Sequence, residues 1–372
     1  MIISHISEID LIVFLEIDLD KVADQHSGPA LKGELPTMNR IVKTAGAFGV
    51  ATTLLLGASA CSSTATTADA PMADKPVTIA FVMGAEADPF FKAMKVGAEA
   101  ATAAKKAKLV WQGDPSVYSP ATQIPIVDQV LAQKPSCLVL IPTDPTALQA
   151  SVTKAKAAGI PVVNVDTHVG DLSDVISFIT GDNKQGGEAA AEAMATAIKY
   201  TAGQKYQVVA GLTSATATTN VDRLTGFKSQ LASKYPGIEL VDTAYSQSQP
   251  ATANSNVSNW LTKYPNLSGI FAIDGTNATG AASALQAKGL AGKVALIGYD
   301  AYQANVDLIG KGVFTALIAQ DPAEEARQAV DTCIKFIETK SKAGITAAVT
   351  LPNILLNKET SAADLKKYTY VQ

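Results

Sequence analysis

From residue 77 onward, short apolar runs alternate with longer stretches whose apolar residues recur at helical spacing. Runs at 77–83, 109–112, 137–141, 162–165 and 175–180 read as strands buried on both faces, because they lack polar alternation. Between them the pattern predicts helices over 89–104, from 119–120 onward, and ending at Gly159. Asp88 is the expected N-cap of the first helix and Pro89 its first residue. Pro125 falls in the first turns of the second helix, where few backbone N–H groups need partners. The second half repeats the alternation. Helices are expected at 185–200, 220–235, 252–263, up to 288, and 322–340. Strands are expected at 207–212, 238–244, 269–273, 294–299 and 314–319, with a final extended segment at 350–356. This predicts an α/β chain of two doubly wound parallel-sheet lobes with right-handed crossovers. Several runs end on a polar residue at a turn: Asp166, Asp274, Asp300 and Gln320. The first runs into a loop closed by Asp88-Pro89-Phe90-Phe91. Ligands of open α/β sheets sit beyond the carboxyl ends of the strands, so these residues point to one crevice.

The chain before residue 76 has a different character. Residues 1–37 carry seven acidic residues against Lys21 and Lys32, and the apolar stretch 11–15 is too short to span a membrane. Residues 38–43 then form a basic start, 45–56 an apolar stretch, and Ala58-Ser59-Ala60 a small-residue cleavage site before Cys61. This resembles the bacterial lipoprotein signal, with Ala58 where that signal usually has Leu. The resemblance implies cleavage before Cys61, lipid on its sulfur, and an anchor on the extracytoplasmic face of the cell membrane. Residues 1–37 are read as an upstream extension outside the true gene product, starting at Met38, and 38–60 as the signal peptide. The small-residue, Thr/Ala-rich stretch 61–75 is expected to be a flexible tether.

Composition narrows the classes. The acidic extension and the bases Arg40 and Lys43 account for most of the formal net charge of −4, leaving −1 on the remainder. With no basic run, a nucleic-acid partner is not expected. The remaining ~310 residues suffice for two lobes. Cys137 opens a strand and Cys333 lies on a helix, both in apolar surroundings, which favours buried free thiols over a bridge. No metal-ligand or cofactor motif stands out, and none is expected.

The quoted residues resemble the periplasmic sugar-binding proteins of the ribose-binding type (type I periplasmic binding proteins), over essentially all of 76–357. Asp88-Pro89-Phe90-Phe91 is similar to that family's N-P-F-F and Ile141-Pro142-Thr143-Asp144 to its N-P-T-D. Gly181-Asp182-Asn183 with Gly186-Gly187 resembles the first lobe crossover, and Arg223-Leu224-Thr225-Gly226-Phe227 the R-x-x-G-F motif. Asp166, Asp274, Asp300 and Gln320 fall on the family's remaining polar positions. The resemblance implies lobes joined by a three-strand hinge, crossing near 180–183, 319–321 and 349–353. The N-terminal lobe is then 76–181 plus 321–350, and the C-terminal lobe 182–320 plus 351–372. It implies a substrate-binding protein, expected as a monomer, that delivers a ligand to an ABC transporter permease and its ATPase.

Sugar hydroxyls each donate and accept, beside a weakly apolar C–H face. Asp88, Asp166, Asp274 and Asp300 supply acceptors, Arg223 a planar fork of donors, and Gln320 both. Phe90 and Phe91 supply stacking surface, with Phe91 expected toward the ligand and its neighbour toward the core. The alternative for each Asp is a helix N-cap, and for Arg223 a surface ion pair. Trp111 is expected in the core and Asp144 in a turn; Tyr118 and Tyr245 are candidates for the cleft lining, with surface loops the preferred reading for both. Three family positions depart: Gly84 stands for Ser, Ile141 for Asn and Thr167 for Arg. With those contacts gone, ribose itself is not the expected ligand; a different neutral pentose, hexose or polyol is. The excess of Asp over Arg argues against an acidic ligand. Two other classes remain open: a receptor for a furanosyl autoinducer on the same fold, and a secreted carbohydrate-acting enzyme. The enzyme is disfavoured because His168 is the one histidine after residue 60 and no nucleophile elbow or zinc helix is present.

Overall fold

The computed structural model describes residues 76–370. The proposed extension 1–37, signal peptide 38–60, lipidated Cys61 and tether lie outside the described residues. Strands β1 (Thr78–Ala85), β2 (Lys108–Asp114), β3 (Cys137–Leu140), β4 (Val162–Val165) and β5 (Val175–Gly181) alternate with helices α1 (Pro89–Ala104), α2 (Pro120–Ala132) and α3 (Gln149–Ala157). Next come α4 (Asn183–Ala197), β6 (Tyr206–Leu212), α5 (Thr218–Lys234), β7 (Ile238–Tyr245), α6 (Pro250–Lys263), β8 (Leu267–Ala272), α7 (Gly275–Ala287) and β9 (Ala295–Tyr299). The chain ends with α8 (Gln303–Ile309), β10 (Ala316–Ala319), α9 (Pro322–Thr339), β11 (Ala348–Leu351), β12 (Ile354–Asn357) and α10 (Ala362–Tyr368).

Two six-stranded sheets result, ordered β11-β5-β4-β3-β1-β2 and β12-β10-β9-β8-β6-β7. All pairings are parallel except β10 with β12. Both sheets have the same order, reversing direction of travel at β1/β3 and at β6/β8, which is where open α/β sheets leave a crevice. Alternate side chains explain the two-faced burial of each strand. Ile79, Phe81 and Met83 face α1 and α9, whereas Ala80 and Val82 join the cluster with Val127 and Val152 of α2 and α3. Trp111 stacks on Phe81 with ring centroids 5.2 Å apart, so it belongs to this core.

The chain changes sheet three times: between β5 and α4, between β10 and α9, and between β11 and β12. The last change falls at the crossing expected near 349–353 and divides the terminal segment expected over 350–356 into two strands. Pro352 has no N–H to donate, and the pairing breaks there, so β11 extends the first sheet and β12 the second. Two short helices, α8 and α10, had no counterpart in the sequence pattern; each is only seven residues long.

Cys137 and Cys333 form a disulfide, with Cα atoms 5.9 Å apart, contrary to the expectation of free thiols. The reason is topological. After its excursion through the second sheet the chain returns as α9, which packs on the face of the first sheet toward which Cys137 points. The bridge closes a span of 196 residues. In the chain-entropy account a loop of that size constrains the unfolded state by about 5 kcal/mol. Replacing both cysteines by alanine is therefore expected to lower unfolding free energy by about 2–5 kcal/mol, measured by denaturant titration; an unchanged midpoint would remove the bridge as a stabilising element.

Candidate functional site

The crevice between the sheets is closed over by contacts that cross it. The Tyr302 hydroxyl donates to Asp88 Oδ1, and Thr276 Oγ1 donates to Asp88 Oδ2 at 3.0 Å. Gln249 Nε2 donates to the Ser116 carbonyl at 2.7 Å, and the His168 N–H to Thr218 Oγ1 at 3.3 Å. Beneath them lies a partly open space of about 440 Å³. Asp88, Phe90, Phe91 and Asp166 line it from the first sheet's side. Arg223, Asp274 and Asp300 line it from the second, and Gln320 from a crossing strand. All eight residues expected from the sequence thus reach one cavity.

Local chemistry explains each placement. Asp166 and Asp300 follow directly on β4 and β9 with φ of 60° and 65°. That left-handed conformation costs a non-glycine residue free energy and is kept where the surroundings fix it, commonly at functional positions. It turns both side chains across the strand ends. Asp274 is the N-cap of α7, its Oδ1 accepting the Asn277 N–H at 2.9 Å, while Oδ2 accepts from Thr213 Oγ1 at 2.9 Å. Asp88 caps α1 through the Phe90 N–H at 3.0 Å. Capping and cavity lining therefore coincide in these two residues. Asp300 accepts from the Gly275 N–H, Gln320 Nε2 and the Tyr370 hydroxyl. The rings of Phe90 and Phe91 meet edge to face at 5.4 Å and both reach the cavity, correcting the expectation that one faces the core.

Arg223 is buried, not a surface ion pair. Its Nε donates to Asn183 Oδ1 at 2.8 Å and Nη1 to the Ile273 carbonyl at 3.0 Å, and the guanidinium lies 3.7 Å over the Tyr299 ring. The motif glycines make this possible. A Cβ on Gly187 would collide with the Arg223 carbonyl oxygen and one on Gly226 with that of Lys184, so α4 and α5 meet backbone to backbone. That contact seats Arg223 above β9.

Charge in the cavity is unbalanced, four carboxyl groups facing one guanidinium. Burial raises the Asp88 pKa to about 6, against lowering hydrogen bonds from Tyr302 and Phe90. Burial also lifts Asp166 and Asp274 above the usual carboxylate range, with Arg223 pulling Asp166 back down. Glu325, in the first turn of α9, is fully buried with neither oxygen hydrogen-bonded, and burial pushes its pKa well up. No sequence pattern singled it out.

Three further residues change the sequence picture. Tyr118 lines the cavity, contrary to the surface-loop expectation, whereas Tyr245 is exposed. Thr167 is turned inward, its Oγ1 donating to the Pro142 carbonyl at 2.8 Å, and Ile141 is buried. Asp144 closes its own turn, accepting the Thr146 and Ala147 N–H groups at 2.9 and 2.8 Å. Asn220 and Thr219 also line the cavity; both stand in the first turn of the helix that carries Arg223, which was the available signal for them.

Comparison with known proteins gives one family. Residues 79–341 match the family model described as periplasmic binding protein domain. A D-ribose/D-allose-binding protein of Pseudomonas aeruginosa is 32% identical over 290 residues, covering 75% of this chain and 88% of the relative. An ABC transporter solute-binding protein from Agrobacterium vitis, solved with α-D-tagatopyranose, superposes with a TM-score of 0.74 at 31% identity, covering 79% of this chain and 99% of that one. A carbohydrate transporter solute-binding protein from Agrobacterium radiobacter, solved with D-arabinose, gives a TM-score of 0.74 at 27% identity, covering 80% and 99%.

The raised Asp88 pKa fixes a pH dependence. Between the ordinary value of 3.8 and about 6, the native group keeps a proton that the unfolded group has lost. Stability from this group therefore falls as pH rises through that window. Asp88→Asn is expected to flatten the decline in melting temperature from pH 4 to pH 6 relative to wild type, read by differential scanning fluorimetry. An identical slope in both proteins would contradict the assignment.

Proposed function

The chain belongs to the periplasmic binding protein domain family, and from that premise we propose that it captures a neutral sugar or polyol between two closing lobes and hands it to an ABC importer. The observation that carries this reading is the cavity itself: acceptor carboxylates, a fixed guanidinium and two phenyl rings around one space. A polyhydroxylated ligand uses all of these at once. Its hydroxyls donate to Asp166 and the other carboxyl groups, and accept from the Arg223 N–H groups left free by Asn183 and Ile273. Its C–H face rests on Phe90 or Phe91. A neutral ligand also fits the charge: an acidic one adds a negative group to a site already rich in carboxyls.

In this reading the lobes are 76–181 plus 321–350 and 182–320 plus 351–372, with Gln320 at the hinge. Ligand contacts both lobes only when they are closed, so binding shifts an open–closed equilibrium toward the closed form. The partners are a permease with its ATPase, the protein acting as a monomer held to the extracytoplasmic membrane face through lipid on Cys61. The sugars bound to the Agrobacterium proteins, and the description of the Pseudomonas relative as a D-ribose/D-allose-binding protein, support the ligand class. The losses at Gly84, Ile141 and Thr167 support a ligand other than ribose.

A thermal-shift screen over pentoses, hexoses and alditols tests the reading. A true ligand at 100 times its Kd adds about 2.7 kcal/mol to native stability. Arg223→Ala is expected to abolish the shift that wild type shows; an undiminished shift would remove Arg223 from the site.

A further inference from the structure

The first lobe's side of the cavity is short of hydrogen-bond donors. Asp88 and Asp166 accept, and Phe90 and Phe91 carry no polar side-chain atom. Where the ribose-binding type carries Arg after the strand-end Asp, Thr167 spends its hydroxyl on Pro142. Where that type carries Asn, Ile141 is buried hydrocarbon. The remaining first-lobe side chain at the cavity is Tyr118.

Gly84 accounts for how Tyr118 comes to be there. A Cβ at Gly84 would lie 2.8 Å from Tyr118 Cδ2 and 2.7 Å from Thr143 Cγ2. Real Cβ atoms do not approach so closely, so the ring occupies the space that a residue-84 side chain would take. The loss of Ser at 84 and the gain of a tyrosine in the cavity are one exchange. The phenol lies within electrostatic reach of Asp166, Asp274, Arg223 and Asp144, the first three of which share its cavity or border it. Its hydroxyl has no hydrogen-bond partner within the described residues. Burial and the neighbouring carboxylates push its pKa up, so it stays a neutral O–H donor at every pH at which the protein works.

We propose that Tyr118 is the hydrogen-bond donor with which the first lobe reads the ligand, in place of the donors absent at positions 84, 141 and 167. The inference rests on the sugar or polyol reading and sharpens it. The ligand must present an oxygen toward the β2–α2 loop, within reach of a phenol rather than of a short serine. Ligands that lack an acceptor there leave the phenol unpaired in a closed cavity and are rejected.

Calorimetric titration of D-ribose, D-allose, D-arabinose and xylitol into wild type and Tyr118→Phe tests this. For a sugar that binds wild type, Tyr118→Phe is expected to raise Kd about tenfold while the melting temperature of the ligand-free protein stays unchanged. Tyr245→Phe, an exposed tyrosine outside the cavity, serves as the control and is expected to leave Kd alone. Gly84→Ser alone is expected to abolish binding by displacing the ring. Gly84→Ser with Tyr118→Ala is expected to restore binding with a changed order of preference across the four ligands. A Kd for Tyr118→Phe within twofold of wild type would overturn the inference and leave the sugar reading standing. No binding of any sugar or polyol to wild type would overturn the sugar reading itself, and this inference with it.

Discussion

Everything about this molecule turns on the burial of four carboxyl groups around one small space. Burial of Asp88, Asp166 and Asp274 disfavours their charged forms and raises their pKa values. Arg223 offsets part of this. Its stacking on Tyr299 and its bonds to Asn183 and Ile273 fix it where the carboxylates need it. Internal donors cover much of the rest: Tyr302 and Thr276 on Asp88, Thr213 on Asp274, Tyr370 on Asp300. Asp166 receives none of comparable kind on its side chain. The Asp166 carboxyl is thus the acceptor most available to hydroxyls of the proposed ligand.

The fold supplies the means of closing. Each sheet is covered on both faces, one face of each by a cluster of its own, while the other faces belong to a single apolar cluster that includes Phe90, Tyr302 and Tyr370. Only three strands of chain pass between them, near Gly181, Gln320 and Asn353. Gly181 approaches both amides so closely that a Cβ would sit 2.9 Å from Asn353 Oδ1 and 3.0 Å from Gln320 Oε1. The crossings are thus packed against each other, whereas the cavity rim is held by single hydrogen bonds such as Gln249 to Ser116. The Cys137–Cys333 bridge acts inside the first body, securing the returning helix α9 to β3, so it does not restrict the hinge.

The sheets and most helices were legible because long apolar runs and capping residues are local signals. Asp88, Asp182, Asp274 and Asp321 do cap helices where the sequence changes from strand to helix. The convergence of the strand-end residues on one cavity was legible because parallel strands put all their carboxyl ends on one edge. What escaped depends on contacts between distant segments. Cys333 meets Cys137 only because α9 returns to the first sheet. Tyr118 enters the cavity only because Gly84, 34 positions earlier, has no side chain. Glu325 is concealed differently: a glutamate in the first turn of a helix reads as a favourable surface charge, and only packing shows it buried without a partner.

On the reading proposed above, a neutral polyhydroxylated ligand holds the two bodies closed over the carboxylates. Small-angle X-ray scattering of residues 76–372, with and without a saturating sugar or polyol that raises the melting temperature, tests it most directly. Ligand is expected to reduce the radius of gyration and bring the scattering curve to that of the closed structure. Scattering unchanged by such a ligand, with the free protein differing from the closed structure throughout, would contradict it.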